Sequence, residues 1–194
     1  MTIENERQLR DAVFKVGSLL QDIQDYCGLE NRVDARIRFP RGYIRTAQAH
    51  RRDLPALPKP SLRQNIGYAL MTCDLYRWLA TRTDLSATVL EMIIKEGVCL
   101  LGSICESLMI RPHTRGLGRR NGSFATRAER LVELGVITDD VRSELQWLWS
   151  IRVREHFVDY DQPEWDVYTR DDYNRAYRAF ISLRDGLSNH FGRE

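Results

Sequence analysis

Apolar residues recur at helical spacing along most of the chain, and no stretch alternates in the manner of a β-strand. The N-terminal segment is the clearest case, because its apolar side chains follow one another at alternating steps of four and three residues: Leu9, Val13, Val16, Leu20, Ile23 and Cys27. This spacing predicts an amphipathic helix over residues 3–27 that packs against a helical partner and stops at Gly28. Because the run is short, bundle packing is favoured over a free coiled coil.

The segment 28–61 has the least regular pattern of the chain. A short helix is expected to begin after Pro40 and to end at Arg52. The proline-rich stretch LPALPKP, residues 54–60, cannot be helical and is predicted to be an extended connector. With basic residues on both sides, this connector is either a flexible arm or a segment that packs on a helical bundle.

From Ser61 onward the helical period is clear. It predicts helices over 61–82, through 89–108, from Ser123 to Gly135, over 139–158 and from Asp171 to Phe191, whereas 111–123 is predicted to be a loop. Ser123 and Thr138 are suited to cap the helices that follow them. We therefore predict an all-α protein, an antiparallel helical bundle with extra N-terminal helices. Residues 1–60 would form the N-terminal helix and connector, and residues 61–194 the bundle.

Composition agrees with a globular protein, since 43% of the 194 residues are hydrophobic and 29% are charged. The cysteines lack the spacing of a zinc site and are expected to be reduced core residues: Cys27, Cys73, Cys99 and Cys105. No apolar stretch approaches the ~20 residues of a membrane span, and the N-terminus does not resemble a signal peptide. We expect a soluble, cytoplasmic protein with no membrane partner.

Charge is distributed unevenly although the formal net charge is only +2. Arginine is concentrated in 28–65 and 111–130, whereas 155–172 is acidic. Arginine suits phosphate binding because its planar fork holds oxyanions bidentately. The two basic segments are therefore either contacts for a phosphate-bearing partner or a solvated surface.

The predicted helix 139–158 contains the main candidate site. Its polar face is expected to face solvent: Ser143, Gln146, Ser150 and Arg154. Arg152 and His156 point instead to the side of the apolar residues, and as i,i+4 neighbours they could act on one ligand. Alternatively, Arg152 pairs with an internal carboxylate, with His156 as a core histidine. The carboxylates considered for that pairing are Glu91, Glu96 and Glu106.

The order of elements over about 85–191 resembles that of the HEPN domain superfamily, small all-α proteins of prokaryotic defence and toxin–antitoxin systems. A long helix is followed by a short one ending in Gly-Val-Ile, a helix ending in IRVREHF, an acidic loop and the helix YNRAYRAFISLRDGL. The family signature is an arginine, usually followed by a polar residue, and a histidine after four to six intervening residues. Here Val153 follows Arg152, and three residues separate Arg152 from His156.

The resemblance implies an endoribonuclease that needs no metal or other cofactor and works as a homodimer, with an antitoxin or defence-system protein as a further possible partner. It implies cleavage of RNA by attack of its own 2′-OH in a cleft at the dimer interface, with His156 as acid and base and Arg152 on the phosphate. Asp159 would orient His156, or is simply exposed. The loop 111–120 is expected either to contact the RNA backbone or to be a disordered basic loop. Its arginines are Arg111, Arg115, Arg119 and Arg120. The alternative is a catalytically inactive HEPN-like module that dimerises or binds RNA or a protein.

Overall fold

Helices are the regular elements of the computed structural model throughout the residues that it describes, 2–54, 57, 59–110, 122–155 and 167–191. The α-helices are α1 (Glu6–Cys27), α2 (Ala47–Arg52), α3 (Pro60–Arg82), α4 (Ala87–Ile110), α5 (Phe124–Glu133), α6 (Asp139–Arg152) and α7 (Arg170–Phe191). Short 3₁₀ helices span Val33–Ala35 and Val153–Glu155. The prediction of an all-α helical bundle is confirmed. By its contacts the chain divides into two compact units, Met1–Arg41 and Gly42–Glu194.

The first unit is built on α1, which begins three residues later than predicted because Asn5 caps it. The Asn5 side chain accepts a hydrogen bond of 3.0 Å from the backbone N–H of Gln8. The helix ends where expected, since Gly28 adopts φ +55°, a conformation that favours glycine. No residue of α1 is buried.

The second unit begins with α2, whose first residue, Ala47, lies later than predicted. Thr46 caps this helix by accepting a hydrogen bond from the backbone N–H of Ala49. After it, Leu54 and Leu57 are buried, and the carbonyl of Leu57 accepts a hydrogen bond of 3.1 Å from Nε of Arg63. Of the two readings of the connector, packing on the bundle is therefore the one observed at these two leucines.

Helix α4 is the centre of the second unit, because it packs against α3, α6 and α7. Its fully buried side chains include Ile94, Val98 and Leu101. Cys73, Cys99 and Cys105 are buried and form no disulfide, as predicted. Cys27, in the first unit, is only half-buried. Among the described residues, none of the helices combines the length and the apolar character that a membrane crossing requires.

Helices α5 and α6 have the caps that the sequence predicts. Ser123 accepts a hydrogen bond from the backbone N–H of Thr126, and Thr138 accepts one from that of Val141. The final helix begins one residue before the predicted Asp171, because Thr169 and Asp172 bond each other's backbone N–H groups at its start. Most of the predicted loop, residues 111–121, lies outside the described residues.

Candidate functional site

Helix α6 presents the predicted faces to core and solvent. Leu145, Leu148 and Ile151 are buried. The predicted solvent face is confirmed, since all four of its residues are exposed: Ser143, Gln146, Ser150 and Arg154. Arg152 lies on the other side of the helix and is half-buried. The distinction between Arg152 and Arg154 that the sequence predicts is therefore present in the structure.

The stem of Arg152 rests on α4 at Gly102. A Cβ added to Gly102 would lie 2.9 Å from Cβ and 3.0 Å from Cγ of Arg152, so this close approach requires glycine. The guanidinium carbon of Arg152 lies 5.3 Å from the ring centroid of Trp149. That indole in turn stacks on Phe124, with ring centroids 4.5 Å apart and planes 10° from parallel. Arg152 thus occupies a defined position between α4 and an aromatic pair.

The regular helix ends at Arg152, earlier than the predicted end at residue 158. The chain continues as the 3₁₀ helix Val153–Glu155, a common way for an α-helix to terminate. A 3₁₀ helix has 3.0 residues per turn in place of 3.6. The i,i+4 relation between Arg152 and His156 assumed an uninterrupted α-helix, and that assumption is wrong.

Arg152 is the only residue of the predicted site that belongs to the described part of the chain. His156 and Asp159 lie outside the described residues, as do the four arginines predicted to contact RNA: Arg111, Arg115, Arg119 and Arg120. Whether the fold brings these groups together with Arg152 stays a prediction.

The carboxylates considered as internal partners of Arg152 have other surroundings. Glu96 is exposed, and Oε2 of Glu91 accepts a hydrogen bond of 3.1 Å from the backbone N–H of Val167. Oε1 of Glu106 lies 4.0 Å from a guanidinium nitrogen of Arg127. Arg152 itself is not an isolated charge.

A buried lysine lies on the same face of α4 as Gly102, seven residues earlier. Lys95 is only 1% exposed, and a lysine this deeply buried is rare unless it is paired; Lys95 does have a partner. Between the two, Cys99 directs its thiol to the carbonyl of Ile151 at 3.8 Å. This face of α4 therefore contacts the end of α6 at Cys99 and carries a buried lysine one turn before that contact. The apolar periodicity of α4 does not indicate that Lys95 is buried, because a single lysine among apolar residues is usually taken to lie at the edge of the buried face.

A second polar group, the Asp74 cluster, joins α2, α3 and α7. It consists of Arg45, His50, Asp74 and Tyr177. Oδ2 of Asp74 accepts hydrogen bonds from the backbone N–H of Arg45 at 2.9 Å and from Nε2 of His50 at 3.0 Å. The Arg45 guanidinium donates to Oδ1 of Asp74 at 3.2 Å and to the hydroxyl of Tyr177 at 2.9 Å.

The Asp74 carboxylate is ionised at neutral pH. Burial by itself would raise its pKa, but the hydrogen bonds from His50 and Arg45 outweigh burial and lower the pKa of Asp74. The carboxylate is therefore the acceptor, and Nε2 of His50 carries the donated proton. His50 is 1% exposed, which leaves its ring no open surface on which to meet a ligand. These hydrogen bonds hold α2 against α3, so the role of the Asp74 cluster is structural.

No histidine spacing connects His50 with Asp74, which lies 24 residues further along the chain. One signal was present. Asp74 falls one turn after Leu70 and two turns after Ile66, on the apolar face of α3. A carboxylate on such a face indicates a buried partner, although it does not identify the partner.

The fold defines the class of this protein as an all-α helical bundle. Comparison with protein-family models, with curated proteins and with solved structures finds no match. Within the described residues, no group of three His, Cys, Asp or Glu side chains is arranged to hold a metal ion.

Proposed function

We propose that this chain is a HEPN-like, metal-independent endoribonuclease, or the toxin subunit of a prokaryotic defence system, with Arg152 and His156 as its catalytic residues. The observation that carries the proposal is the position of Arg152. It is the last residue of α6, its stem is held against Gly102, and its guanidinium lies over Trp149. A cation held in this way is oriented before a substrate arrives, which is what stabilisation of a transition state requires.

The protein does not need to supply a nucleophile for this reaction, because RNA carries its own in the 2′-OH. His156 would accept the proton of the 2′-OH and afterwards return a proton to the leaving 5′ oxygen. Arg152 would hold the scissile phosphate and offset the charge that develops on its oxygens. Asp159 would orient the imidazole. The site would form where two copies of the chain meet, so that both contribute Arg152 and His156.

The four arginines of the 111–120 stretch would follow the RNA backbone. They are Arg111, Arg115, Arg119 and Arg120. Contacts of this kind release counterions, so RNA affinity would fall steeply with added salt. Replacing all four by alanine would flatten that dependence and leave the cleavage chemistry of bound RNA unchanged.

The competing function is a catalytically inactive module that dimerises or binds RNA or a protein. Two observations favour it. The 3₁₀ helix Val153–Glu155 interrupts the spacing between Arg152 and His156, and the contact with Gly102 would suit an arginine whose role is packing. In that case Arg152 stabilises the junction of α4 and α6 and takes no part in chemistry.

RNA cleavage in EDTA separates the two functions. Mixed RNA is incubated with the wild type and with the His156→Ala, Arg152→Ala and Arg154→Ala variants, and the ends of the fragments are analysed. Arg154 is the matched control because it is an exposed arginine two residues from Arg152. We expect cyclic or 2′/3′-phosphate ends from the wild type and from Arg154→Ala, and cleavage lowered by at least ~100-fold in the other two variants.

Each other outcome has a definite meaning. If the wild type binds RNA without cutting it, the inactive module is correct. If His156→Ala cuts as fast as the wild type, His156 is not the acid and base. Thermal unfolding of each variant shows whether a loss of cleavage reflects a loss of folded protein.

A further inference from the structure

The apolar stripe of α1 is open to solvent along most of its length, up to the half-buried Cys27 at its end. The five side chains that lead it are each more than one-third exposed: Leu9 (42%), Val13 (63%), Val16 (56%), Leu20 (41%) and Ile23 (38%). A helix of 22 residues that contains glycine and β-branched residues near its middle has little intrinsic stability in water. Such a helix is stabilised chiefly by packing of its apolar face, so we expect a partner to cover this stripe.

We propose that α1 pairs with α1 of a second copy of this chain, in the antiparallel orientation. The stripe has the a and d positions of three heptads, and in an antiparallel pair an a residue faces a d residue of the other helix. Centring the pair on Ser18 places Val16 opposite Leu20, Val13 opposite Ile23 and Leu9 opposite Cys27, each pair joining the two copies. All six positions of the stripe are then matched in a single register.

The charges of α1 favour this orientation over the parallel one. The N-terminal half, residues 6–15, carries three basic and two acidic side chains, a net charge of +1: Arg7, Arg10 and Lys15 against Glu6 and Asp11. The C-terminal half, residues 16–27, carries Asp22 and Asp25 and no lysine or arginine, a net charge of −2. An antiparallel pair brings opposite charges together at both ends, whereas a parallel pair brings like charges together. The helix dipoles also oppose each other favourably in the antiparallel pair.

A groove lies where the partner's N-terminal half would dock. It has a volume of about 450 Å³ and runs between the C-terminal half of α1 and the segment 32–37. Its apolar lining includes Leu19, Ile23 and Ile37. Ile23 and Cys27, which face Val13 and Leu9 of the second copy in the antiparallel register, also line this groove. At its edge Arg32 lies over the Tyr26 ring and pairs with Asp34 at 2.8 Å, which leaves a charged rim around an apolar floor.

The molar mass of the full chain in solution tests the pairing, measured by light scattering after size exclusion for the wild type, Val16→Asp and Phe14→Asp. Phe14 is the matched control because it is 78% exposed and lies outside the stripe. We expect the wild type to have a molar mass that is an even multiple of 22.7 kDa. Val16→Asp should have half the wild-type mass, and Phe14→Asp should have the wild-type mass. A monomeric wild type, or a Val16→Asp variant of wild-type mass, would overturn the proposal.

Thiol cross-linking tests the orientation without disturbing the centre of the helix. A short bismaleimide is added to the wild type, to Leu9→Cys and to Leu9→Cys combined with Cys27→Ser. In the antiparallel pair the two Cys27 residues are about 27 Å apart, so only Leu9→Cys gives a covalent dimer. A covalent wild-type dimer, or one that persists in the double variant, would mean that the helices are parallel and would refute the register.

The pairing of α1 is independent of the proposed nuclease site, and the two can fail separately. Val16→Asp lies outside the residues assigned to catalysis. If it halves the mass while RNA cleavage per folded chain is unchanged, α1 is a second association surface. If the mass stays the same and RNA is still cut, the α1 pairing is wrong and the nuclease proposal stands.

Discussion

The two units of the chain carry similar apolar periodicity and use it differently. In the first unit, α1 has a regular stripe of apolar positions and no buried residue. In the second unit, α4, α6 and α7 share a core in which Ile94, Leu145 and Leu183 are fully buried. Periodicity therefore identifies which face of a helix is apolar, but it does not identify what covers that face. We therefore expect the same kind of substitution to change the stability of the two units very differently.

The largest effect is expected at Asp74, where the second unit buries a charge. Asp74→Ala would leave two donors without their acceptor, the buried ring of His50 and the backbone N–H of Arg45, and each buried donor left unsatisfied costs about 1–3 kcal/mol of unfolding free energy. Urea denaturation followed by tryptophan fluorescence measures this cost. The signal reports on the second unit alone, because it contains all four tryptophans: Trp78, Trp147, Trp149 and Trp165.

Asp53→Ala is the control for Asp74→Ala. Its carboxylate is 46% exposed and lies 3.8 Å from nitrogens of both Arg45 and Arg184. Exposed ion pairs of this length contribute about 0–1 kcal/mol, so the variant should unfold near the wild type. Equal losses in both variants would mean that the Asp74 cluster is no more than another surface ion pair.

Acid should weaken the second unit through the same carboxylate. The pKa of Asp74 is lower in the folded chain than its ordinary value of 3.8, because the hydrogen bonds from His50 and Arg45 outweigh its burial. A group with a lowered folded pKa stabilises the fold above its unfolded pKa and loses that contribution as the pH falls through the folded value. The difference in unfolding free energy between the wild type and Asp74→Asn should therefore be constant near neutrality and shrink below pH 3.8. A difference that grows as the pH falls would contradict the lowered pKa.

A smaller effect is expected from a methyl group added inside the second unit. Gly102→Ala would place its Cβ 2.9 Å from Cβ of Arg152, and neither atom can move without shifting a helix. Crowding of this kind costs about 1–3 kcal/mol, measurable by the same denaturation. Ser103→Ala, on the next residue of the same helix, is the control and should cost less than about 0.5 kcal/mol. If Gly102→Ala is as stable as the control, the contact between α4 and Arg152 is looser than described.

The sequence predicted the helices well because their boundary signals are local. The caps at Ser123 and Thr138, the glycine after α1 and the apolar period all act within a few residues of the position that they determine. The pattern was wrong, or left two alternatives open, where a longer-range interaction decided the outcome. The predicted end of α6 at residue 158 is wrong, because the chain changes to a 3₁₀ helix just after the last packed residues of α6. The two alternatives for the connector differ in whether it packs on the bundle, and the burial of Leu54 and Leu57 favours packing.

The site was harder to predict than the fold, for the same physical reason. The half-buried position of Arg152 followed from its angle around α6, which is a local property. The glycine against which it packs lies 50 residues earlier on another helix, and no pattern within α6 refers to it. The pairing of His50 with Asp74 and the burial of Lys95 likewise depend on which helices meet, so a single sequence predicts the residue types and leaves their partners open.

The smallest effect, and one of opposite sign, is expected from a methyl group added to the first unit. A Cβ on Gly17 would meet no atom within 4 Å, so Gly17→Ala adds no crowding and removes the entropic cost of glycine in the middle of a helix. We expect α1 to gain about 0.5–1 kcal/mol, seen as slower hydrogen exchange of its backbone amides. The comparison is made in the Val16→Asp background, where pairing of α1 would not mask the change, with Ser18→Ala as the neighbouring control. Faster exchange in Gly17→Ala would show that α1 is closely packed at Gly17, and the contrast between an open first unit and a crowded second one would then be wrong.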